Sequence, residues 1–280
     1  MRNNIIAIMY DFDKTLCAKD MQEYTFIPNL GIDAKSFWAE ANRVRENNKM
    51  DQVLTYMYLM FKKMVDNNRS LKRDYLNAMG KEIGLFPGVN TWFQRINDYG
   101  KSRGMIIEHY IISSGLKEII EGTKIGNEFK EIYASEFFYN EDGNAMWPKI
   151  AVNYTNKTQF LNRINKGVLD ISDDNGLNKK MLDNDRRISH ANMIYIGDGF
   201  TDVPCMKLTK DGGGVSVAVY TDKTKHIAKG LLSDGRINYM ALADYREGMP
   251  IDKIIKKTID AMATNTELKN IGYFLQDDVE

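Results

Sequence analysis

The stretch "MYDFDKTLC", residues 9–17, decides the fold, and it directly follows the apolar run "IIAI" at 5–8. A short apolar run of this kind predicts a buried β-strand. The strand ends in two aspartates, Asp11 and Asp13, which are one residue apart. Like charges this close repel each other, and burying an unpaired carboxylate costs several kcal/mol in order of magnitude. We therefore expect a positive group to lie at the end of this strand.

The bulk composition excludes several classes of protein. The chain has 280 residues, with 38 Lys and Arg against 38 Asp and Glu, so its charge does not favour nucleic acid or an acidic membrane surface. The first apolar run is too short for a signal peptide or a membrane span. The two cysteines form no CxxC pair, which favours a reducing compartment. We expect a cytoplasmic protein with no nucleic-acid, membrane or obligate protein partner.

Further apolar runs alternate with helical patterns and predict a parallel sheet. Together with the first run, the predicted strands lie at residues 5–10, 109–114, 131–139, 192–198 and 214–220. The predicted fold class is α/β, with a Rossmann-like parallel sheet flanked by helices. The segment "FFYNEDGNAMW" at 137–147 predicts a hairpin beside the site, because Asp142-Gly143 favours a tight turn. The polar segment 170–187 predicts an exposed loop.

A long insertion separates the first two strands. Nearly a hundred residues lie between them, although a strand-helix-strand unit needs only about thirty. The inserted segment carries apolar residues at helical spacing, and Ser70 is a candidate N-cap for a helix that Gly84 ends. We predict an all-helical cap domain at residues 21–86, and a discontinuous α/β core at 1–20 and 87–280.

Four polar motifs follow one another at helix-sized spacings, three of them at strand ends. They are "DFDKT" at 11–15, "SSG" at 113–115, "NKT" at 156–158 and "GDGFTD" at 197–202. Ligands of parallel α/β sheets gather beyond the carboxyl ends of the strands, so these motifs predict one shared site.

The order of these motifs resembles the haloacid dehalogenase superfamily. The similarity covers about residues 5–220 and is greatest to the phosphoserine phosphatase-like branch, which carries a helical cap between its first two motifs. The resemblance implies that Asp11 is a nucleophile that forms an aspartyl-phosphate, and that Asp13 is first an acid and then a base. It implies that Lys157 balances the charge on Asp11 and the phosphate. Lys149 and Lys166 remain alternatives for that lysine.

The resemblance also implies how phosphate is held. Ser113 and the backbone amide of Ser114 would bind the phosphate oxygens, while Gly115 permits close backbone approach. Thr15 would tie the first turn through its hydroxyl.

A divalent metal ion would offset the repulsion between Asp11 and Asp13. The resemblance implies Mg²⁺, held by the carboxylates of Asp11 and Asp198, the backbone carbonyl of Asp13 and water. Asp202 would fix Lys157 or a metal-bound water, which makes it a supporting residue.

Asp13 narrows the range of possible reactions, since dehalogenases and cation-pumping ATPases of the superfamily lack this second aspartate. We expect Mg²⁺-dependent hydrolysis of a small phosphorylated metabolite. A phosphomutase or phosphotransferase and a non-catalytic relative that binds phosphorylated ligands are the alternatives. Glu23, Arg43 and Arg45 are the nearest cap residues for the amine and carboxylate of a phosphoserine-like substrate.

The two cysteines, Cys17 and Cys205, follow the first and fourth motifs. Their strands would be neighbours in the superfamily's sheet, so the two thiols could lie near each other. A disulfide between them is disfavoured, because it needs a specific geometry and an oxidising setting.

Overall fold

A central β-sheet organises the computed structural model, which describes residues 4–182 and 185–277. Within those residues the strands are β1 Ile5–Tyr10, β2 Ile106–Leu116, β3 Glu131–Tyr139, β4 Ala145–Ile150, β5 Met193–Gly197, β6 Val215–Tyr220 and β7 Tyr239–Leu242. Their order across the sheet is β4-β3-β2-β1-β5-β6-β7. All neighbours are parallel except β3 and β4, which form the predicted antiparallel hairpin. The α/β class with a mostly parallel sheet is confirmed.

Helices cover both faces of this sheet. They are α1 Phe26–Asn29, α2 Ala34–Asn48, α3 Gln52–Asp66, α4 Arg73–Met79, α5 Val89–Ser102, α6 Lys117–Glu121, α7 Lys157–Lys166, α8 Asp174–Asn178, α9 Val203–Asp211, α10 Lys225–Ser233 and α11 Pro250–Asp277. Short 3₁₀ helices lie at Met21–Glu23, Gly80–Glu82, Gly126–Glu128, His190–Asn192 and Phe200–Asp202. Among the described helices, none has the length and apolar character to cross a membrane.

Strand β1 lies in the middle of the sheet. It pairs with β2 on one side and β5 on the other, so both of its edges are hydrogen-bonded. Its side chains alternate between the two faces. Ile6, Ile8 and Tyr10 pack in one core with α5, α11 and the inserted helices, while Ala7 and Met9 pack in the other core with α7, α9 and α10. A strand buried on both faces explains the continuous apolar run.

Most predicted strand limits agree with the structure. The limits of β1 and β3 are as predicted, and β2 is longer than predicted because it continues through the second motif. Strand β7 was not predicted, since it has only four residues at the sheet edge. The predicted loop 170–187 contains the short helix α8, whose neighbouring backbone accepts hydrogen bonds from the buried Arg163. Residues 183–184 of that loop lie outside the described residues.

The insertion between β1 and β2 is helical, as predicted. The proposed cap limits, 21–86, stay a prediction. Two details are wrong: Ser70 does not cap a helix, because α4 begins only at Arg73, and Gly84 does not end that helix, because α4 ends at Met79. The residues before α4 instead pair with the hairpin tip. Ala145 N donates to Leu71 O at 2.8 Å, and Arg73 N donates to Gly143 O at 3.1 Å. Extended pairing here delays the start of the helix.

Two glycines let the insertion contact the sheet helices closely. A Cβ added at Gly122, just after α6, would lie 1.8 Å from the backbone oxygen of Asn77 in α4. A Cβ at Gly80, just after α4, would lie 2.2 Å from the backbone oxygen of Ile119 in α6. Because both obstacles are backbone atoms, they cannot move aside as a flexible side chain would. Glycine is therefore required for this helix contact.

Replacing Gly122 with alanine tests this contact. We expect Gly122→Ala to destabilise the protein by about 1 to 3 kcal/mol, the usual cost of overpacking. Gly230→Ala is the matched control, because Gly230 lies within α10 and a Cβ there meets nothing within 4 Å. We expect the control to be neutral or slightly stabilising, since alanine favours helix. Urea unfolding measures both, and equal effects would contradict the contact.

A chain of hydrogen bonds between α5, β1 and β2 requires His109 to be neutral. Trp92 Nε1 donates to the Tyr10 hydroxyl at 2.9 Å, and that hydroxyl lies 3.0 Å from His109 Nδ1. His109 Nε2 lies 3.0 Å from Asn97 Oδ1, an acceptor. These contacts fit a His109 ring that accepts a hydrogen bond at Nδ1 and donates one at Nε2. Burial lowers the pKa of His109 to about 3.

The neutral state of His109 gives the stability a pH dependence. The unfolded histidine gains a proton as the pH falls through its ordinary pKa of 6.5, whereas the folded one stays neutral until about 3. The contribution of His109 to the free energy of unfolding should therefore fall by about 2 kcal/mol between about pH 7.5 and pH 5. Urea unfolding at both pH values measures this contribution as the difference between the wild type and His109→Gln, because carboxyl groups with raised pKa values also titrate in this range in both proteins. His226→Gln, whose histidine is exposed, should keep the pH dependence of the wild type. A His109→Gln variant with an unchanged pH dependence would contradict the assignment.

Candidate active site

The candidate site lies at the carboxyl ends of three adjacent strands. Asp11 follows β1, Ser113 lies near the end of β2 and Asp198 follows β5. Asp11 N donates to Ile196 O at 2.9 Å, so the ladder between β1 and β5 continues to the first residue of the motif. Lys157 is the first residue of α7. The sheet order therefore brings all four predicted motifs to one edge.

Lys157 places a positive charge beside Asp11, the first of the two aspartates that follow β1. Its Nζ donates to Asp11 Oδ1 and to Asp202 Oδ1, both at 2.8 Å, although the side chain is only 1% exposed. Burial alone would lower the pKa of Lys157, but the two carboxylates raise it above its ordinary value. The ammonium therefore stays charged. The two alternative lysines lie elsewhere: Lys149 pairs with Glu136, and Lys166 donates to the backbone oxygens of Leu177 in α8 and Lys179 just after it.

Asp202 is held from three directions. Besides Lys157, the Tyr195 hydroxyl donates to its Oδ1 at 2.8 Å, and Asp198 N donates to its Oδ2 at 3.2 Å. The predicted contact between Asp202 and Lys157 is present. Tyr195, a buried residue of β5, is a site residue that the sequence analysis missed. In sequence it is one apolar residue among others in a buried strand, so nothing there distinguishes it.

Three carboxylates converge here, consistent with metal binding. Asp11, Asp198 and Asp202 each offer an oxygen atom, and these atoms all lie within 4.8 Å of one another. Lys157 brings one positive charge to three carboxylates. Burial and the neighbouring carboxylates raise the pKa of Asp198 to about 8, and burial raises that of Asp11 to about 6 despite Lys157. These oxygen donors with excess negative charge fit a hard divalent cation.

Asp13 lies beside this group and is held by the start of the insertion. Its Oδ1 accepts a hydrogen bond from Met21 N at 2.9 Å. Burial, followed by the charges of Asp20 and Asp11, raises its pKa well above the usual range. The Asp13 carboxylate is not among the three that cluster. A raised pKa suits a carboxyl group that must carry a proton.

The turn after Asp11 is held by backbone contacts. Thr15 was expected to tie it through the hydroxyl, but its buried Oγ1 makes no hydrogen bond to the described residues. Instead Leu16 N donates to Phe12 O at 2.9 Å, and the Tyr245 hydroxyl donates to Thr15 O at 2.9 Å. The hydroxyl role was wrong, because the main chain and a tyrosine from beyond β7 supply the bonds.

The second motif forms an irregular end to β2. The register between β2 and β3 shifts between Ser113 and Leu116. Gly115 N donates to Ser113 Oγ at 3.0 Å, and this oxygen is buried. A Cβ added at Gly115 would lie 2.1 Å from Met21 Cε and 3.2 Å from Asp13 Oδ2. The motif therefore lies close to Asp13, and a larger residue at this position would have to displace the end of the Met21 side chain.

Comparison with known proteins assigns the chain to a family. Residues 8–207 match the profile of the haloacid dehalogenase-like hydrolases. The chain belongs to this family. Its alignment with an uncharacterized protein from Borreliella burgdorferi is 291 residues long and shows 30% identity. The alignment covers 92% of this chain and 98% of that protein.

Solved structures share the fold of this chain. A haloacid dehalogenase family hydrolase from Salmonella enterica serovar Typhi superimposes with a TM-score of 0.57 at 18% identity, covering 87% of this chain and 69% of the other. A phosphoserine phosphatase, solved as a phospho-aspartyl intermediate analogue, superimposes with a TM-score of 0.53 at 13% identity, covering 92% and 99%. At these identities the likeness shows the fold alone.

The cap residues predicted to select substrate occupy different environments in the structure. Glu23 is half-buried, and its Oε1 accepts a hydrogen bond from Trp38 Nε1 at 2.8 Å, which engages it inside the insertion. Arg43 is exposed on α2, and Arg45 is half-buried on the same helix. Their roles in substrate binding stay predictions.

The two cysteines of the chain are free and lie on opposite faces of the sheet. Cys17 is buried in the core that contains Ile6, whereas Cys205 is buried in the core that contains Ala7. The expectation that the thiols lie near each other was wrong. Neighbouring strands do not suffice, because Cys205 follows its strand by a helical turn that enters the opposite layer.

A cavity of about 370 Å³ lies beside β3 and β4, away from the carboxylates. Its lining includes the ion pairs Lys117 with Glu131 and Lys149 with Glu136. Asp11, by contrast, is only 6% exposed. Asp11 is therefore covered, and this cavity is not the candidate active site.

Lys157→Met tests the central ion contact. We expect the metal-free variant to lose about 3 to 5 kcal/mol of stability, because Asp11 and Asp202 are left without their buried cation. The control is Lys207→Met, whose lysine is 62% exposed and pairs with Asp211 on the surface of α9. A surface pair of this type contributes about 0.5 kcal/mol or less. Urea unfolding separates the two, and a Lys157→Met variant as stable as the control would refute the role.

Proposed function

We propose that this hydrolase cleaves the phosphate monoester of a small phosphorylated metabolite through an aspartyl-phosphate on Asp11, with Mg²⁺ as cofactor. One observation carries the proposal. Asp11 is held at the sheet edge by a buried ammonium, beside further carboxylates that fit a divalent cation. Phosphoryl transfer depends on positioning and on positive charge around the phosphate oxygens, which this arrangement supplies.

In the first step, a carboxylate oxygen of Asp11 attacks phosphorus while the bond to the leaving oxygen breaks. Lys157 keeps the Asp11 carboxylate oriented and offsets charge that gathers on the phosphoryl oxygens. Asp13 gives its proton to the leaving oxygen, which departs as an alcohol. The raised pKa of Asp13 fits this role, because the proton must be present at the start.

In the second step, water attacks the phosphorus of the aspartyl-phosphate. Asp13, now ionised, accepts a proton from that water. The bond between phosphorus and the Asp11 oxygen breaks, which releases inorganic phosphate and restores the Asp11 carboxylate and the proton on Asp13. Ser113 and the backbone amides that follow it bind the phosphoryl oxygens in both steps.

The residues that would hold Mg²⁺ are Asp11 and Asp198 through their carboxylates and Asp13 through its backbone carbonyl. When bound, the ion supplies positive charge that offsets repulsion between the phosphate and the attacking carboxylate. Asp202 lies within the same carboxylate group, but its contacts with Lys157 and Tyr195 favour a supporting role. The phospho-aspartyl intermediate analogue named for the related phosphoserine phosphatase supports this chemistry.

Substrate choice belongs, in this proposal, to the helical cap at residues 21–86, seated on the core at 1–20 and 87–280. The predicted selectors are Glu23, Arg43 and Arg45. Because Asp11 is almost fully covered, we expect the cap to move relative to the core when substrate enters.

Phosphate release tests the proposal. A panel of phosphorylated metabolites and p-nitrophenyl phosphate is assayed with and without Mg²⁺, using the wild type and Asp11→Asn. We expect metal-dependent turnover that falls at least about a thousandfold in Asp11→Asn, because the nucleophile is lost. Asp142→Asn is the matched control, since Asp142 is exposed at the hairpin tip. Absence of turnover by the metal-loaded wild type on every compound would overturn the proposal.

A further inference from the structure

A tyrosine of the cap contacts the phosphate-binding motif. Tyr56 of α3 is buried, and its hydroxyl donates to Ser114 O at 2.6 Å. The Ser135 hydroxyl of β3 donates to the same oxygen at 3.2 Å. Val152 N donates to Ser135 Oγ at 3.0 Å, which directs the Ser135 proton towards Ser114. One carbonyl oxygen is thus held by two hydroxyls, one from each side of the boundary between insertion and sheet.

Fixing this oxygen fixes the next amide. The Ser114 carbonyl and the Gly115 N–H belong to one planar trans peptide and point in opposite directions. With the oxygen held by Tyr56 and Ser135, the N–H donates to Ser113 Oγ at 3.0 Å. Gly115 has no Cβ, so its own backbone resists rotation of this peptide less than any other residue would. External contacts must therefore set its orientation.

Tyr56 is itself well anchored. Its ring packs edge-on against Trp38, with ring centroids 6.3 Å apart, and Trp38 is hydrogen-bonded to Glu23. Asp51 caps α3 by accepting from Val53 N at 2.9 Å, and also accepts from Asn153 Nδ2 at 2.8 Å. Asn153 lies in the turn before Lys157. Helix α3 therefore contacts the segments that carry both the phosphate motif and the lysine.

We propose that Tyr56 is a positioning residue through which the seated cap holds the Ser114–Gly115 peptide, so that the Gly115 N–H donates to Ser113 Oγ and orients the Ser113 hydroxyl towards a phosphate oxygen. This inference rests on the proposed function. When the cap lifts, the Tyr56 bond breaks and Ser135 alone holds the carbonyl. Phosphate affinity therefore depends on the position of the cap, because both hydroxyls hold the Ser114 carbonyl only when the cap covers the site.

The test removes the hydroxyl and measures binding. Tyr56→Phe is titrated with inorganic phosphate in the presence of Mg²⁺ by calorimetry, and kcat and KM are measured on the best substrate. We expect the Kd for phosphate to rise about five- to tenfold, the usual effect of one lost hydrogen bond. Tyr58→Phe is the matched control on the same helix, since Tyr58 is 46% exposed. It should bind phosphate as the wild type does.

A double-mutant cycle checks that both hydroxyls act on one peptide. We expect the rise in Kd for the Tyr56→Phe, Ser135→Ala double variant to exceed the product of the single effects, because either hydroxyl alone still restrains the carbonyl. Urea midpoints are measured in parallel. A lower midpoint for Tyr56→Phe with an unchanged Kd would mean a merely structural role and overturn the inference. Single effects that simply multiply would also overturn it.

The outcomes separate this inference from the proposed function. If the wild type turns over substrate and Asp11→Asn does not, while Tyr56→Phe keeps the wild-type Kd and KM, the proposed function stands and only the inference fails. If the wild type neither releases nor binds phosphate, both fail. If it binds phosphate without hydrolysis and Tyr56→Phe weakens that binding, the inference stands and the hydrolytic function fails.

Discussion

The buried contact between Lys157 and two aspartates is the constraint on which the site depends. An ammonium removed from water is tolerated only when carboxylates receive it with good geometry. That requirement links the end of β1, the start of α7 and the turn after β5, because Asp11, Lys157 and Asp202 come from these three elements. The sheet order, with β1 between β2 and β5, is what makes the meeting possible. The same contact leaves an excess of negative charge, which a cation would offset.

The insertion does more than cover this edge of the sheet. Its first residues hold Asp13 through Met21 N, its third helix holds Ser114 through Tyr56, and the segment before its fourth helix pairs with the β3–β4 hairpin. Asp13 and the second motif thus receive hydrogen bonds from chain that is not part of the sheet. Since the proposed role of the insertion is to select substrate, these bonds would make the geometry of the site depend on a bound ligand.

The sequence predicted the charged residues of the site better than the residues that hold them in place. Asp11, Asp198 and Lys157 could be brought together in advance because parallel strands end at one sheet edge and the motifs occur in order. Thr15 was misjudged because a backbone turn needs no side chain when its own amides close it. Tyr56 and Tyr195 were missed for a different reason: at helical or strand spacing, a tyrosine is indistinguishable from ordinary core until the partner of its hydroxyl is known. The unpredicted β7 is short and lies at the edge, where pattern is weakest.

The central position of β1 also affects how the chain is made. This strand leaves the ribosome before both of its partners, since Ile5 pairs with Ile106 and Ala7 pairs with Met193. Until the chain beyond Gly197 has emerged, at least one edge of an apolar strand has no native partner. Contacts so distant in sequence form slowly, whereas the helices between β1 and β2 rely on local contacts that form early. During synthesis the nascent chain therefore exposes an apolar strand whose unpaired edge favours aggregation until its partners have emerged.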